Sequence, residues 1–306
     1  MIRSAECRVE HLQRFLDGFH RAARHVGLPS AQAPRGSVYR LAGSACARLG
    51  LSRTLPGVRR RAICPMAWAS DRDAFPLQFL YRIVPWVYDC WGPDFPRWDR
   101  LLGRLDPPVA FFSSRAVASR YSARLPSTAC HWVPEAIDHH AYDPGPPLAE
   151  RGVGILEIGR RWSLFRDRFG KALERCEQRC IGAEGGIVIP ADRLRSVLAE
   201  TRVMVCVPKS VTHPEGAGGI ETVTYRYFEA MASRCIVMGR CPDELRDLWG
   251  YNPVLEVGED TDPAFVAQVV RDANRYQDLV ERNYARLRQV GLWEHRLQFM
   301  ASRACF

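Results

Sequence analysis

Residues 216–233 read GAGGIETVTYRYFEAMAS: a glycine-rich loop running into a helical stretch expected over 222–233, with Glu221 and Glu229 separated by seven residues. Gly216, Gly218 and Gly219 admit tight turns and close approach of a ligand. A helix N-terminus offers unpaired N–H groups and a partial positive charge, which suits a phosphate. Eight helical residues advance about 80° beyond two full turns, so both carboxylates are expected to address one cleft. Carboxylates beside a phosphate cradle suit a hydroxyl-rich ligand, and a nucleotide-sugar has both parts. Read without a ligand, the same pattern is a loop, a helix start and two solvated glutamates.

Outward from this stretch, short apolar runs alternate with helical ones. Residues 154–158, 186–189, 203–207, 235–238 and 254–257 read as buried strands, and 166–180, 192–200, 222–233 and 242–248 as helices. Such alternation predicts a parallel sheet covered on both faces. Ligands of open α/β sheets bind outside the strand carboxyl ends. Three loops there carry cations, namely Gly159-Arg160-Arg161, Pro208-Lys209-Ser210 and Gly239-Arg240, a convergence that fits a diphosphate. Helices over 262–273, 276–287 and 293–304 close the chain.

Upstream, the polar, proline-rich DHHAYDPGPP at 138–147 reads as an interdomain linker. The first half alternates too, with strands at 62–66, 82–88, 109–113 and 130–133 and a helix at 114–124. No strand is assigned before residue 62. Five of the eight tryptophans fall here (Trp68, Trp86, Trp91, Trp98 and Trp132), most of them core and one or two facing an acceptor groove. The expected division is 1–140 as an acceptor-side domain, 141–290 as a donor-binding domain and 291–306 as a C-terminal helix.

Charge is unevenly placed. Residues 1–61 hold twelve arginines against Glu6, Glu10 and Asp17, so they carry the whole net charge of +9 and the rest balances to zero. Such a segment implies an anionic partner. Val9, Leu12, Leu16, Phe19, Ala23 and Val26 form one helical stripe, with Arg8, His11, Arg14, Arg21, Arg24 and His25 around it. Residues 8–26 therefore read as a core-docked helix with a basic outer face, or as a helix lying on anionic lipid. A weakly structured, proline-punctuated stretch follows through Pro56.

The composition, 47% hydrophobic and 25% charged over 306 residues, is that of a soluble globular protein of two domains. No apolar run has the ~18 residues of a membrane span, and the N-terminus lacks a secretory core. The eleven scattered cysteines form no disulfide framework. Cys176 and Cys180, four apart on an expected helix, lack a second ligand pair for zinc. A cytoplasmic location is expected, peripheral on the inner face of the membrane.

These residues resemble the GT-B fold glycosyltransferases, in particular the retaining family 4 and its spore-coat-protein-like relatives, over roughly residues 82–250. Glu221 and Glu229 match that family's E-x7-E pattern, and FEAMAS at 228–233 its EAMA-containing helix. VPKS, FFSSRAVASRY, WVPEAIDHHAYDP and ILEIGRR follow the family's order of segments. The resemblance implies two Rossmann-like domains, the first shortened and without the usual first strand. It also implies transfer of a sugar from a nucleotide-diphosphate sugar, which serves as co-substrate in place of any cofactor, to a glycan, lipid-linked or other hydroxyl acceptor. By the same resemblance Glu229 would bind the donor ribose and Glu221 the transferred sugar. Gly218, Gly219 and the N–H groups near Thr222 and Val223 would cradle the diphosphate, and Gly159, Arg160, Lys209 and Arg226 would complete its site. No metal is implied, and Asp71-Arg72-Asp73 lacks the context of a metal-binding Asp-x-Asp. The family's lysine position falls on Phe165. On the acceptor side Asp89 and then His131 are the candidate catalytic groups. Two other readings stand beside this one: a nucleic-acid binder using the arginine-rich segment, although it has no recognised motif, and a GT-B protein that binds nucleotide without catalysis.

Overall fold

The computed structural model describes residues 2–5, 10–33, 57–70, 77–160, 162–174, 179–181 and 189–304, with positions 41, 45, 49 and 74. The chain divides into two compact units. The first comprises Met1–Glu135, Gly216–Ile220 and Trp293–Phe306, the second Ala136–Glu215 and Glu221–Leu292.

In the first unit β1 (Ile2–Ala5), α1 (Glu10–His25), β2 (Ser30–Ala33), β3 (Arg61–Met66), β4 (Arg82–Val87), α2 (Phe95–Leu105), β5 (Val109–Phe112), α3 (Arg115–Arg124) and β6 (Ala129–Trp132) follow in order. The strands form one sheet in the order β2-β1-β3-β4-β5-β6, with every pairing parallel. The helix α2 shows how sequence places an element. Trp98, Leu101, Leu102 and Leu105 recur at helical spacing and are all buried, while Pro96 stands in the first turn and Asp106 closes the helix in the left-handed region.

The second unit runs β7 (Val153–Leu156), α4 (Ser163–Glu174), β8 (Arg179–Ile181), α5 (Ala191–Ala199), β9 (Thr201–Cys206), α6 (Lys209–Thr212), α7 (Pro214–Ala217, its last two residues counted with the first unit), α8 (Tyr225–Ala232), β10 (Ile236–Gly239), α9 (Asp243–Trp249), β11 (Leu255–Glu256), α10 (Pro263–Arg271) and α11 (Gln277–Val290). Its sheet has the order β11-β10-β9-β7-β8, again all parallel. Along β9, Val203 and Val205 join one core with α4 and α10, whereas Met204 and Cys206 join another with α8 and α9. This alternation is the period-two pattern of a strand buried on both faces. The final helix, α12 (Trp293–Ala304), belongs to the first unit, where Arg61 Nη1 donates to the Ala304 carbonyl at 2.7 Å.

Four expectations are corrected. The first unit has strands before residue 62: β1 supplies the first strand that the sequence was read as lacking, and β2 lies in the stretch read as weakly structured. The helix expected over 166–180 ends at Glu174, and Cys180 sits on β8, because pairing with β7 outweighs local helical preference. Cys180 is thus not a helical neighbour of Cys176, which lies outside the described residues. The helix expected from 222 begins at Tyr225, so Glu221 stands outside it and the helical-phase argument does not relate it to Glu229. The glycine-rich stretch does not run into that helix either; Gly216 belongs to α7 and Gly218-Gly219 turn after it. Of the strand expected over 186–189, residues 186–188 lie outside the description, as do Arg161 and Asp71-Arg72-Asp73, and Ile189 is not in a strand.

Candidate donor site of the second unit

The strand order of the second unit puts β8 on one side of β7 and β9 on the other, which makes the carboxyl ends of β7 and β9 its topological switch point. The loop after β7 holds Gly159 and exposed Arg160, and the segment after β9 opens with half-buried Lys209 at the start of α6. Glu157 braces the first loop by accepting from the Trp162 N–H at 3.0 Å and from Arg166 Nε at 2.8 Å. Phe165, at the position of the family's lysine, is buried in the core beside Trp162 and Phe169 and brings no charge.

Glu229, only 1% exposed, is the centre of the site. Its Oε1 accepts from the Tyr142 hydroxyl at 2.8 Å and its Oε2 from Arg226 Nη1 at 2.5 Å. Tyr225, the first residue of α8, places its hydroxyl 3.4 Å from that of Tyr142. Two oxygens and two donors leave further lone pairs on the carboxylate, which suits a ligand that presents hydroxyls. Burial, then Glu229, raises the Tyr142 pKa well above its ordinary value, so the phenol stays a donor. For Arg226 burial is the largest influence and acts downward, but Glu229 reverses it and the net pKa is raised. Gly159, at φ +84°, lies where a Cβ would come within 3.8 Å of the Arg226 guanidinium, so a glycine keeps the loop in a left-handed turn against that cation.

Glu221 has a different setting. Half-buried, it accepts through Oε2 from Ser210 Oγ at 3.1 Å and from Arg240 Nε at 3.2 Å. Buried Tyr227 fixes the backbone of Arg240 by donating its hydroxyl to the Arg240 carbonyl at 2.5 Å. Between the two glutamates, Thr222 Oγ1 and the Val223 N–H donate to Glu244 Oε2 of α9 at 2.7 and 3.3 Å. The Val223 N–H, expected to face a diphosphate, is therefore engaged by a carboxylate. At the N-cap of α8 the Thr224 hydroxyl is buried without a hydrogen-bond partner, and such a group needs one from a ligand or water.

The structure thus brings Gly159, Arg226 and Glu229 into one network, places Glu221, Thr222 and Val223 on the segment leading to it, and sets Arg160 and Lys209 on the two loops of the switch point. Gly218 and Gly219 belong to the first unit, where a Cβ on Gly218 would stand 2.7 Å from the Gly92 Cα, while Ala217 and Ile220 enter that unit's core. Gly218 is required for that packing, and Gly219, which has open space around it, for its left-handed backbone at φ +79°.

Asp89 is also in the first unit, two residues beyond β4, half-buried and accepting from the Trp91 indole N–H. Of the tryptophans there, Trp86, Trp91 and Trp98 are buried and Trp132 lies under Arg115, whereas Trp68, just past β3, is exposed. His131 is on β6, stacked on Phe111 and edge-on to Phe299, and burial, then Arg303, lowers its pKa. Those contacts are structural ones. The apolar side of α1 is taken up as well: Phe15, Leu16, Phe19, Ala22 and Ala23 are buried, with Phe15 and Phe19 packed on Trp86 and Trp293. Among the described residues no His, Cys, Asp and Glu group is arranged to hold a metal, and no helix is long and apolar enough to cross a membrane. Tyr142, Tyr227 and Glu244 were not singled out from sequence. Tyr142 stood in the linker, and the only signal for Glu244 was an acid in a helix's first turn.

No protein-family model matches the chain, and no curated protein matches it in sequence. Solved structures match throughout. Sucrose-phosphate synthase from Thermosynechococcus elongatus has a TM-score of 0.59 at 11% identity, over 99% of this chain and 97% of its own. AviGT4, a glycosyltransferase of avilamycin A biosynthesis, has 0.59 at 11%, over 99% and 96%. HepE of Anabaena, solved with UDP-glucose, has 0.54 at 11%, over 92% and 87%. The fold is that of the two-domain GT-B glycosyltransferases.

Proposed function

We propose that the chain transfers a sugar from a nucleotide-diphosphate donor to a hydroxyl acceptor, with retention of configuration. One observation carries the reading. At the switch point of the second unit, a buried carboxylate held by Tyr142 and Arg226 shares α8 with an N-cap whose buried Thr224 hydroxyl has no partner. Glu229 takes the ribose hydroxyls on its remaining lone pairs, and Glu221 takes hydroxyls of the transferred sugar. Because Glu244 engages Val223, the diphosphate is assigned to the helix end at residues 224–226, where Arg226, Arg160 and Lys209 supply positive charge. The bond from the anomeric carbon to the diphosphate breaks as the bond to the acceptor oxygen forms on the same face, and the acceptor's hydroxyl proton passes to the departing diphosphate oxygen. The developing negative charge falls on groups already oriented to receive it, so no metal is invoked. Asp89 and exposed Trp68, at the carboxyl ends of neighbouring strands, are the acceptor-side candidates. The acceptor is assigned to a glycan or lipid-linked hydroxyl handled at the cytoplasmic face of a membrane.

The HepE complex with UDP-glucose makes a uridine donor the first to try. A thermal-shift panel of UDP, GDP, dTDP and CMP tests the reading, since a ligand of the native state raises Tm by mass action. One diphosphate should raise Tm, Glu229→Ala should abolish that rise and Glu229→Gln should reduce it. No shift with any nucleotide would end the transferase reading.

A further inference from the structure

In a parallel sheet whose crossovers are helices, each helix ends at the amino end of the next strand. In the first unit that edge gathers cations. Arg24 and His25 close α1, Arg104 closes α2, Arg124 closes α3 and Arg303 closes α12. Arg61 and Arg82 begin β3 and β4 in register, and the Arg82 N–H donates to the Arg60 carbonyl at 2.7 Å. The Arg61–Ala304 hydrogen bond ties the end of α12 to the same edge. Arg24, Arg59, Arg60, Arg82 and Arg303 are exposed.

Cations in last helical turns answer the helix dipole, but Arg59, Arg60 and Arg82 stand at strand starts, where no dipole asks for them. Among the described residues the acids near this edge are few. Asp99 pairs with Arg124 at 2.8 Å and with Arg120, Glu294 lies 3.7 Å from His25, and Asp106 is exposed beyond α2. Leu80, two residues before Arg82 at the start of β4, is 63% exposed.

We propose that this strand-start edge docks on an anionic lipid bilayer, with Arg59, Arg60 and Arg82 on the headgroups and Leu80 inserted between them. The buried apolar side of α1 takes no part, which moves the anionic contact from that stripe to the edge. Leu80 decides between anionic partners, because a bilayer interface rewards an apolar side chain among cations and a phosphodiester backbone does not. The inference extends the transferase reading by giving it a membrane to work at, and it uses none of the donor-site residues.

The test is sedimentation of the full chain with vesicles of phosphatidylglycerol and phosphatidylcholine, against phosphatidylcholine alone and against duplex DNA. The chain should bind only the anionic vesicles, and less as salt rises. Each arginine contributes about fivefold, so R59A/R60A/R82A should lose roughly 100-fold. Leu80→Ser should lose several-fold on vesicles while leaving any DNA binding unchanged. All variants should keep the native melting temperature and nucleotide shift, so failure here is separable from failure of the transferase reading. Unaltered vesicle binding by the triple variant, no vesicle binding by the native chain, or stronger binding to DNA than to vesicles overturns the proposal.

Discussion

Glu229 and Glu221 belong to one sequence pattern but live in opposite settings. Glu229 sits inside α8 with a donor on each oxygen, buried and held from two sides. Glu221 sits outside any helix or strand, half-buried, with Ser210 and Arg240 both donating to one of its oxygens. The difference teaches that a buried, fully braced carboxylate is built for one fixed ligand group, while an adjustable one suits a group that changes during reaction.

Breaking the braced side should have the largest effect. Glu229→Ala strands the Tyr142 hydroxyl in the core, so stability should fall by about 1–3 kcal/mol. Donor affinity should fall at least ~100-fold, since hydrogen bonds to charged groups are worth about 1.5–3 kcal/mol each; calorimetric titration with the stabilising nucleotide checks this. Glu221→Gln should keep the nucleotide shift and lower kcat by roughly tenfold or more, the mark of an interaction stronger in the transition state. Equal losses of nucleotide affinity in both variants would erase the contrast.

Tyr142→Phe sharpens the comparison with a single atom. It should cost about 1 kcal/mol of stability and about fivefold in donor affinity, and in a Glu229→Gln background most of that affinity loss should disappear. Independent, additive effects would show that Tyr142 does not position Glu229. The smallest effect concerns pH in the first unit, where burial lowers the pKa of both His131 and His295. A depressed histidine pKa means the unfolded chain takes up the proton first. Their contribution is therefore complete above the unfolded value of about 6.5 and is lost as pH falls below it. Tm should drop on acidification through that range, less steeply in His131→Phe.

The legible and illegible parts of the fold divide by range of interaction. β3 to β6, β9 and β10 are apolar runs, and α3 and α12 follow local periodicity, so sequence reading recovers most of them; α2 is as periodic but is not among the expected helices. By contrast β1, β2 and β8 have three or four residues with polar members, IRSA, SAQA and RCI, and exist because a neighbouring strand pairs with them. In the site, Glu221, Arg226 and Glu229 were visible as a pattern. Tyr142, 87 residues from its partner, and Glu244, across 22 from Thr222, were not. No local spacing encodes a hydrogen bond between distant segments.

What the sequence determined by itself is the strand–helix alternation, hence two parallel sheets, and the helix that brings Arg226 and Glu229 to one side of a turn. It also determined where the positive charge lies. Only the tertiary structure decided that Gly218 packs against Gly92, that the apolar side of α1 is spent in the core, and that Glu229 is braced by Tyr142. Periodicity and charge are written residue by residue, whereas burial and bracing arise when segments far apart in the chain compete for the same space.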